Sequence, residues 1–263
     1  GLPAQCDAAQ DRLRSTLNKV QSALLVRWQR CIERAMADSD HNWRLWGERD
    51  PYYGVLTDPR FRKNSIAANR QIFFDSGQAF IEHWLAEIER HFGALPRGRA
   101  LDFGCGVGRL TIPLSDHFES VVGLDIAEGM LAEARSNSAG RNIEYLPSDD
   151  TLSQVDGTFD FVGSVIVFQH IPVARGMAIL SRLLACVGRG GACLVQFSTK
   201  RQHGWWEELG YRMRHGMPGG QAVLNLLQRR AVDTPVMQMN EYSLDAVLGL
   251  FRAQGFEQML VRF

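Results

Sequence analysis

The sequence predicts an α/β fold: a mostly parallel sheet flanked by helices, preceded by an N-terminal helical extension. Two observations carry this. From about residue 98 onward, short apolar runs alternate with helical patterns, as βαβ units require. Four of those runs end in an acid, a glycine-rich turn or a polar turn, where parallel strands hand the chain to a loop. The character changes at Pro96-Arg97-Gly98, so residues 1–97 read as a helical cap and residues 98–263 as the core, with an insertion at about 198–242.

The elements follow in order. Leu13, Leu17, Val20, Leu24, Trp28, Cys31 and Ala35 recur at helical steps, predicting a long helix over about 8–37 with one apolar stripe. That stripe packs on the main domain or on the same helix of a second chain, which would make a homodimer. An aromatic-rich loop over 43–61 follows, then a helix over about 75–92 carrying Phe80, Ile81, Trp84, Leu85 and Ile88. Strands are expected at 100–103, 121–125, 143–146, 159–165, 192–197 and 256–263. Helices fit between them at about 108–118, 127–138, 173–186 and 243–254. The stretch from Ser198 to Asn240, with Trp205 and Trp206 and a helix expected at 219–230, is too long for a simple connection and reads as a lid.

Composition narrows the function. The 263 residues carry 29 Lys plus Arg against 29 Asp plus Glu, a formal net charge of zero. Such a chain has no bulk electrostatic grip on nucleic acid or an anionic membrane. No uncharged apolar run approaches the roughly 20 residues of a membrane span, and charges at Asp11, Arg12, Arg14, Lys19 and Arg27 leave no secretory leader core. The five cysteines are scattered, none in a C-x-x-C pair and none at a zinc spacing. A cytoplasmic protein with reduced thiols and no structural metal is expected.

The chemistry concentrates at the predicted strand ends. Leu101-Asp102-Phe103-Gly104-Cys105-Gly106-Val107-Gly108-Arg109 is a buried strand, an acid and a glycine-rich turn opening toward a helix. The glycines permit left-handed backbone and close approach of a ligand, and the helix start offers N–H groups to an anion. The spacing is G-x-G-x-G rather than the dinucleotide form, and Asp102 would repel a pyrophosphate but accept from an amino group. Val121 to Asp125 is a second strand ending in an acid suited to both hydroxyls of a ribose. A third runs from Asn142 to Ser148-Asp149, and a fourth from Phe159 through Val165 to Phe168-Gln169-His170.

In these four motifs, over about residues 98–198, the sequence resembles the class I S-adenosylmethionine-dependent methyltransferases, whose core is Rossmann-like. The resemblance implies S-adenosylmethionine as cofactor and methyl transfer to an oxygen, nitrogen or sulfur nucleophile of a small or medium organic molecule. It implies that Asp102, Gly104, Cys105 and Gly106 hold the methionine moiety. Asp125 would then hold the ribose, Ile126 flank the adenine and Asp149 accept from its amino group, with Ser148 and Asp150 beside it. Ser164 and Val165 would lie near the sulfonium. Members usually finish with a hairpin of sixth and seventh strands, whereas this sequence stops in what reads as the sixth.

Other roles stay open between two readings. Arg109 either pairs with the ligand carboxylate or is a solvated helix residue. Asp125 is a ribose ligand or a helix N-cap, and Asp149 and Asp150 are adenine partners or turn caps. His170 is a general base toward the acceptor or a histidine satisfied by backbone. Tyr52, Tyr53, Phe168 and Trp205 are the candidate acceptor-pocket aromatics, each of which could instead pack the cap on the sheet. No Asn-Pro-Pro-Tyr type motif follows the fourth strand and no acid cluster suggests a bound metal. Rival classes are an NAD(P)-dependent oxidoreductase, disfavoured by the glycine spacing, and a non-catalytic cofactor-binding or assembly module, motivated by the long N-terminal helix.

Overall fold

The computed structural model describes residues 39–199 and 237–263. Contacts divide the chain into Gly1–Ser39 and Asp40–Phe263, and every interaction below lies within the second unit. The predicted helix over 8–37, Trp205 and the helix expected at 219–230 lie outside the described residues.

Five parallel strands, β1 (Arg99–Phe103), β2 (Ser120–Asp125), β3 (Ile143–Pro147), β4 (Phe159–Ser164) and β5 (Val187–Val195), form one sheet in the order β3-β2-β1-β4-β5. The order reverses between β1 and β4, which opens a crevice at their carboxyl ends. Alternation along the strands explains why both faces are apolar. Leu101, Phe103, Val122 and Leu124 point to one layer, where they meet Ile179, Leu180, Leu183, Val247 and Phe251. Ala100, Val121 and Phe161 point to the other, against Ile81, Leu85, Ile88 and Leu114.

The flanking helices largely follow the sequence pattern. They are α5 (Glu128–Asn137), α6 (Val173–Ala185) and α7 (Leu244–Ala253). Ser243 caps α7, its Oγ accepting from the Ala246 N–H at 3.3 Å. Three expectations are corrected. The aromatic segment is not a loop: residues 40–49 form helix α1, Pro51–Val55 helix α2 and Pro59–Phe61 a 3₁₀ turn. Asp50-Pro51 and Asp58-Pro59 act as helix starts there, since proline at the first helical position needs no N–H partner. Next, α3 begins earlier than Asp75, running Ile66–Phe92, because nothing from Ile66 to Phe74 breaks a helix. Finally, the segment after the glycines is a run of turns with one helical turn, α4 (Thr111–Leu114).

No sixth strand forms at 256–263. Phe256 folds back instead, its N–H donating to the Phe251 carbonyl and its ring packing on Phe251 at 5.2 Å between centroids. The tail beyond it is coil, with Arg262 paired to Glu87 of α3. Among the described residues β5 is therefore a sheet edge.

α3 is fixed against the post-glycine turns by one close approach. A Cβ on Gly77 would lie 2.1 Å from the carbonyl oxygen of Arg109, a backbone atom that cannot swing aside. Gly77→Ala is expected to destabilise the protein by about 1–3 kcal/mol, read as a lower urea midpoint; an unchanged midpoint would show that the two elements are not in contact.

Candidate functional site

The glycine-rich loop between β1 and α4 turns on three left-handed glycines, Gly104, Gly106 and Gly108, with φ of 77°, 53° and 88°. It is tied to the end of β2. The N–H groups of Gly104 and Cys105 donate to the Leu124 carbonyl at 2.7 and 2.9 Å. Asp125 then accepts from the Gly106 N–H on one carboxylate oxygen and from the Ala127 N–H on the other, both at 2.9 Å. Each oxygen keeps a further lone pair. Two valines close over the bare backbone: a Cβ on Gly104 would lie 2.3 Å from Val167 Cγ2, and one on Gly106 2.5 Å from Val55 Cγ2.

Three charged groups crowd this loop. Asp102 is buried, and its Oδ2 accepts from the Thr111 hydroxyl at 2.6 Å. Burial pushes its carboxyl up to about 6, against the pull of that hydrogen bond and of Arg109. Asp125 is likewise raised to about 6 by burial, although its backbone donors favour the ionised form. Arg109, one residue past the last glycine, is only 6% exposed. Its guanidinium lies 5.9 Å from the centre of the Phe80 ring, and among the described residues no hydrogen bond or ion pair reaches it; Nε is buried and without a partner. Two desolvated acids and a buried cation that feels Asp102 only through space suit a ligand that brings an ammonium, hydroxyls and a carboxylate.

The third strand end behaves differently. Asp149 is exposed, and its carboxylate accepts from the N–H and hydroxyl of Thr151 at 2.7 Å each, and from the N–H and hydroxyl of Ser153. These donors hold it well below the usual carboxylate range. It shapes a turn with the lone pairs expected for adenine. Asp150 is bound by Arg175 of α6, whose Nε donates to both its oxygens at 2.7 and 2.8 Å. The same guanidinium holds Asp40 of α1 at 2.5 Å. Ser148 donates its N–H to the Asp125 carbonyl at 2.9 Å, and half-buried Ile126 follows Asp125 directly.

Past β4, Ser164 is fully buried with its hydroxyl unpartnered, and Val165 is half-buried. Ile166 takes φ of 64°, a left-handed conformation costly for a β-branched residue. That kink turns the chain out of the sheet and seats Val167 over Gly104. Phe168 is wholly buried among Phe103, Phe197 and Tyr242, so it belongs to the core rather than to an open acceptor space. The Nδ1 of His170 lies 2.6 Å from the Gln238 carbonyl. A carbonyl only accepts, so Nδ1 carries the proton and Nε2 offers a lone pair, 3.2 Å from the Gln169 amide nitrogen. Burial lowers the pKa of His170, so its neutral form is favoured, with the ring 4.8 Å from that of Trp43.

The cap aromatics divide. Tyr52 is buried against Phe73 and Phe74, and its single hydroxyl proton lies between two acceptors, Asn137 Oδ1 at 2.9 Å and Glu133 Oε2 at 3.2 Å, so its polar end faces α5 instead of an acceptor space. Tyr53 is half-buried between Trp46 and the guanidinium of Arg62, which stacks 3.4 Å from its ring centre. The structure thus gathers Asp102, Gly104, Cys105, Gly106, Arg109, Asp125 and Ile126 at one loop. Sequence spacing gave no hint of Val55, Asn137 or Arg175, because each reaches the site across the fold, whereas Thr111 and Val167 lie within or next to the strand-end motifs.

Residues 100–191 match a family model described as a methyltransferase domain. Magnesium-protoporphyrin O-methyltransferase of Synechocystis is 34% identical over 113 residues, covering 41% of this chain and 47% of that one. Ubiquinone biosynthesis O-methyltransferase of Idiomarina loihiensis is 28% identical over 125 residues, covering 46% and 51%. The chain thus spans about half the length of these curated relatives. Among solved structures, phosphoethanolamine N-methyltransferase 1 of Haemonchus contortus, in complex with phosphoethanolamine and S-adenosylhomocysteine, shares the fold. Its TM-score is 0.52 at 18% identity, over 64% of this chain and 33% of that one.

The raised Asp102 makes a pH prediction. Its folded pKa of about 6 lies above the ordinary 3.8, so the folded state holds a proton that the unfolded chain releases between those values. Its contribution to stability therefore falls as pH rises from about 4 to about 6. Relative to Asp102→Asn, the ligand-free wild type is expected to lose stability across that window in urea unfolding; a constant difference would show an ordinary pKa.

Proposed function

We propose that the chain, whose residues 100–191 match a methyltransferase domain, acts as a class I methyltransferase and moves the methyl group of S-adenosylmethionine to an oxygen, nitrogen or sulfur nucleophile of a small or medium organic molecule. The observation that carries the reading is the charge set at the glycine-rich loop: buried Asp102 and Asp125 beside the unpaired, buried Arg109. An amino-acid end and a ribose answer all three at once.

Asp102 would accept from the ammonium and Arg109 would take the carboxylate, each relieving the other's burial. Asp125 accepts from the loop at Gly106 on Oδ2 and from Ala127, beyond β2, on Oδ1, and would offer remaining lone pairs to the ribose hydroxyls. Gly104, Cys105 and Gly106 would meet the ligand through backbone on the side that Val167 and Val55 leave uncovered. Ile126 would flank the adenine, and the Ser148-Asp149-Asp150 turn would edge it, the acceptor coming from a lone pair that Thr151 and Ser153 leave on Asp149 or that Arg175 leaves on Asp150. Val165 would lie near the sulfonium.

The sulfonium supplies a methyl group already activated for transfer, so the protein's own work is binding, orientation and exclusion of water. The cap of α1 and α2, with Trp43 and Tyr53, would bound the acceptor, with Tyr52 supporting it from behind. Phe168 would act from the core and Trp205 from the insertion. Both curated relatives are named O-methyltransferases, which makes an oxygen acceptor the first class to assay. His170 is the candidate base: with Nδ1 held by the Gln238 carbonyl, Nε2 is the ring nitrogen that would take a proton.

Residues 1–97 would serve as the cap and residues 98–263 as the methyltransferase unit, with the insertion at about 198–242 as a lid. A cytoplasmic setting is supported by the unpaired thiols Cys105, Cys186 and Cys193. The apolar stripe of residues 8–37 gives a second copy of the chain a seam to pair on. The zero net charge supports a small acceptor over a nucleic acid. No helix among the described residues is long and apolar enough to cross a membrane.

Calorimetric titration with S-adenosylhomocysteine tests the reading. Binding is expected, weakened roughly tenfold or more by Asp125→Ala and by Arg109→Met; absence of binding to the wild type would overturn it. On a panel of alcohols, phenols, acids, thiols and amines, His170→Ala is expected to cut turnover about a hundredfold with S-adenosylhomocysteine affinity unchanged. Full turnover would remove it as a base.

A further inference from the structure

One side-chain amide touches both the glycine-rich loop and the cap. Asn137, the last residue of α5, donates from Nδ2 to the carbonyl of Val107 at 2.9 Å. Val107 sits between Gly106 and Gly108, at the tip of the loop that carries the charge set. The Oδ1 of the same amide accepts from the Tyr52 hydroxyl of α2 at 2.9 Å, and from the Arg70 guanidinium of α3. Val55, three residues after Tyr52, is the side chain that closes over Gly106. The same packing continues along the cap, where Trp46, Tyr52, Val107, Ala127 and Met130 share one apolar cluster.

We propose that Asn137 is a positioning residue that yokes the glycine-rich loop to the cap, so that a ligand in the crevice and the closed cap stabilise each other. The proposal rests on the ligand reading above. An amide is the group this place requires. It presents a donor to the Val107 carbonyl and an acceptor to the Tyr52 hydroxyl from one rigid plane. A carboxylate would set a lone pair against the carbonyl, and an aliphatic residue would strip the Val107 carbonyl of this donor and leave the Tyr52 hydroxyl with Glu133 alone, 3.2 Å away. Because the loop's pose and the cap's pose share this plane, a ligand that fixes one biases the other, and the bias is reciprocal. A closed cap would bound the acceptor space, so a bound cofactor-like ligand would favour a formed acceptor site and an occupied acceptor site would in turn retain that ligand.

Two variants separate the yoke from general stability. Tyr52→Phe keeps the ring that packs edge-on against Phe73 at 5.3 Å and removes only the hydroxyl. Asn137→Asp keeps the acceptor for Tyr52 and removes the donor to Val107. Hydrogen exchange is measured on the full chain with and without saturating S-adenosylhomocysteine, alongside calorimetric affinity. In the wild type, the ligand is expected to slow exchange both at 102–108 and across 40–61. In each variant, protection at 102–108 should persist at saturation while protection of 40–61 is lost, and affinity should fall about three- to tenfold. The double variant should lose little more than either single one. Ligand binding that protects 102–108 but leaves 40–61 unchanged in the wild type would overturn the yoke, as would variants that keep cap protection and affinity. Failure of the wild type to bind S-adenosylhomocysteine would overturn the ligand reading, and the yoke with it.

Discussion

Asp125 holds the site together by doing two jobs with one buried carboxylate. It terminates β2, and it receives the N–H groups of Gly106 and Ala127, which belong to segments that would otherwise leave unpaired donors in an apolar surround. Removing it from water raises its pKa to about 6, so the arrangement is held against a desolvation penalty that the two backbone bonds only partly offset. The glycine-rich loop keeps its three left-handed turns because this anchor and the Leu124 carbonyl fix its start. The neighbouring charges at Asp102 and Arg109 inherit their positions from that loop.

The fold was legible where burial is periodic. The first four strands emerge within a residue or two of their predicted limits, since alternating apolar runs ending in Asp or Gly have few other ways to be satisfied. β5 begins earlier than expected, at Val187, because Val187 already pairs with Phe159 and the glycine turn at 188–191 is carried as a bulge before pairing resumes between Phe161 and Ala192. The segment at 256–263 has a strand-like composition, but nothing in the sequence says whether a partner edge will accept it; here Phe256 finds Phe251 first. The aromatic segment at 43–61 reads as a loop because its Asp-Pro and Gly signals mark helix starts as readily as turns.

At the site, sequence reading worked for groups that a local motif brings together and failed for those assembled across the fold. Asp102, Gly104, Gly106, Arg109 and Asp125 come from two adjacent strand ends, and order alone places them side by side. Asp149 follows its strand as expected, yet its four local donors come from Thr151 and Ser153, whose arrival depends on the turn's shape rather than on spacing. Arg175 and Asn137 lie on helices whose polar faces look unremarkable in the sequence, and only tertiary contact reveals that one bridges Asp40 and Asp150 and the other bridges Tyr52 and Val107.

The kink at Ile166 has a consequence for how this chain can change over generations. A branched aliphatic residue held at φ of 64° carries a local conformational cost of about 1–3 kcal/mol. A glycine would remove that cost, yet it would also loosen the corner that seats Val167 over Gly104. Sturdiness and working geometry pull in opposite directions at this corner, so variants selected for heat resistance alone would drift toward a relaxed turn and a blunter crevice.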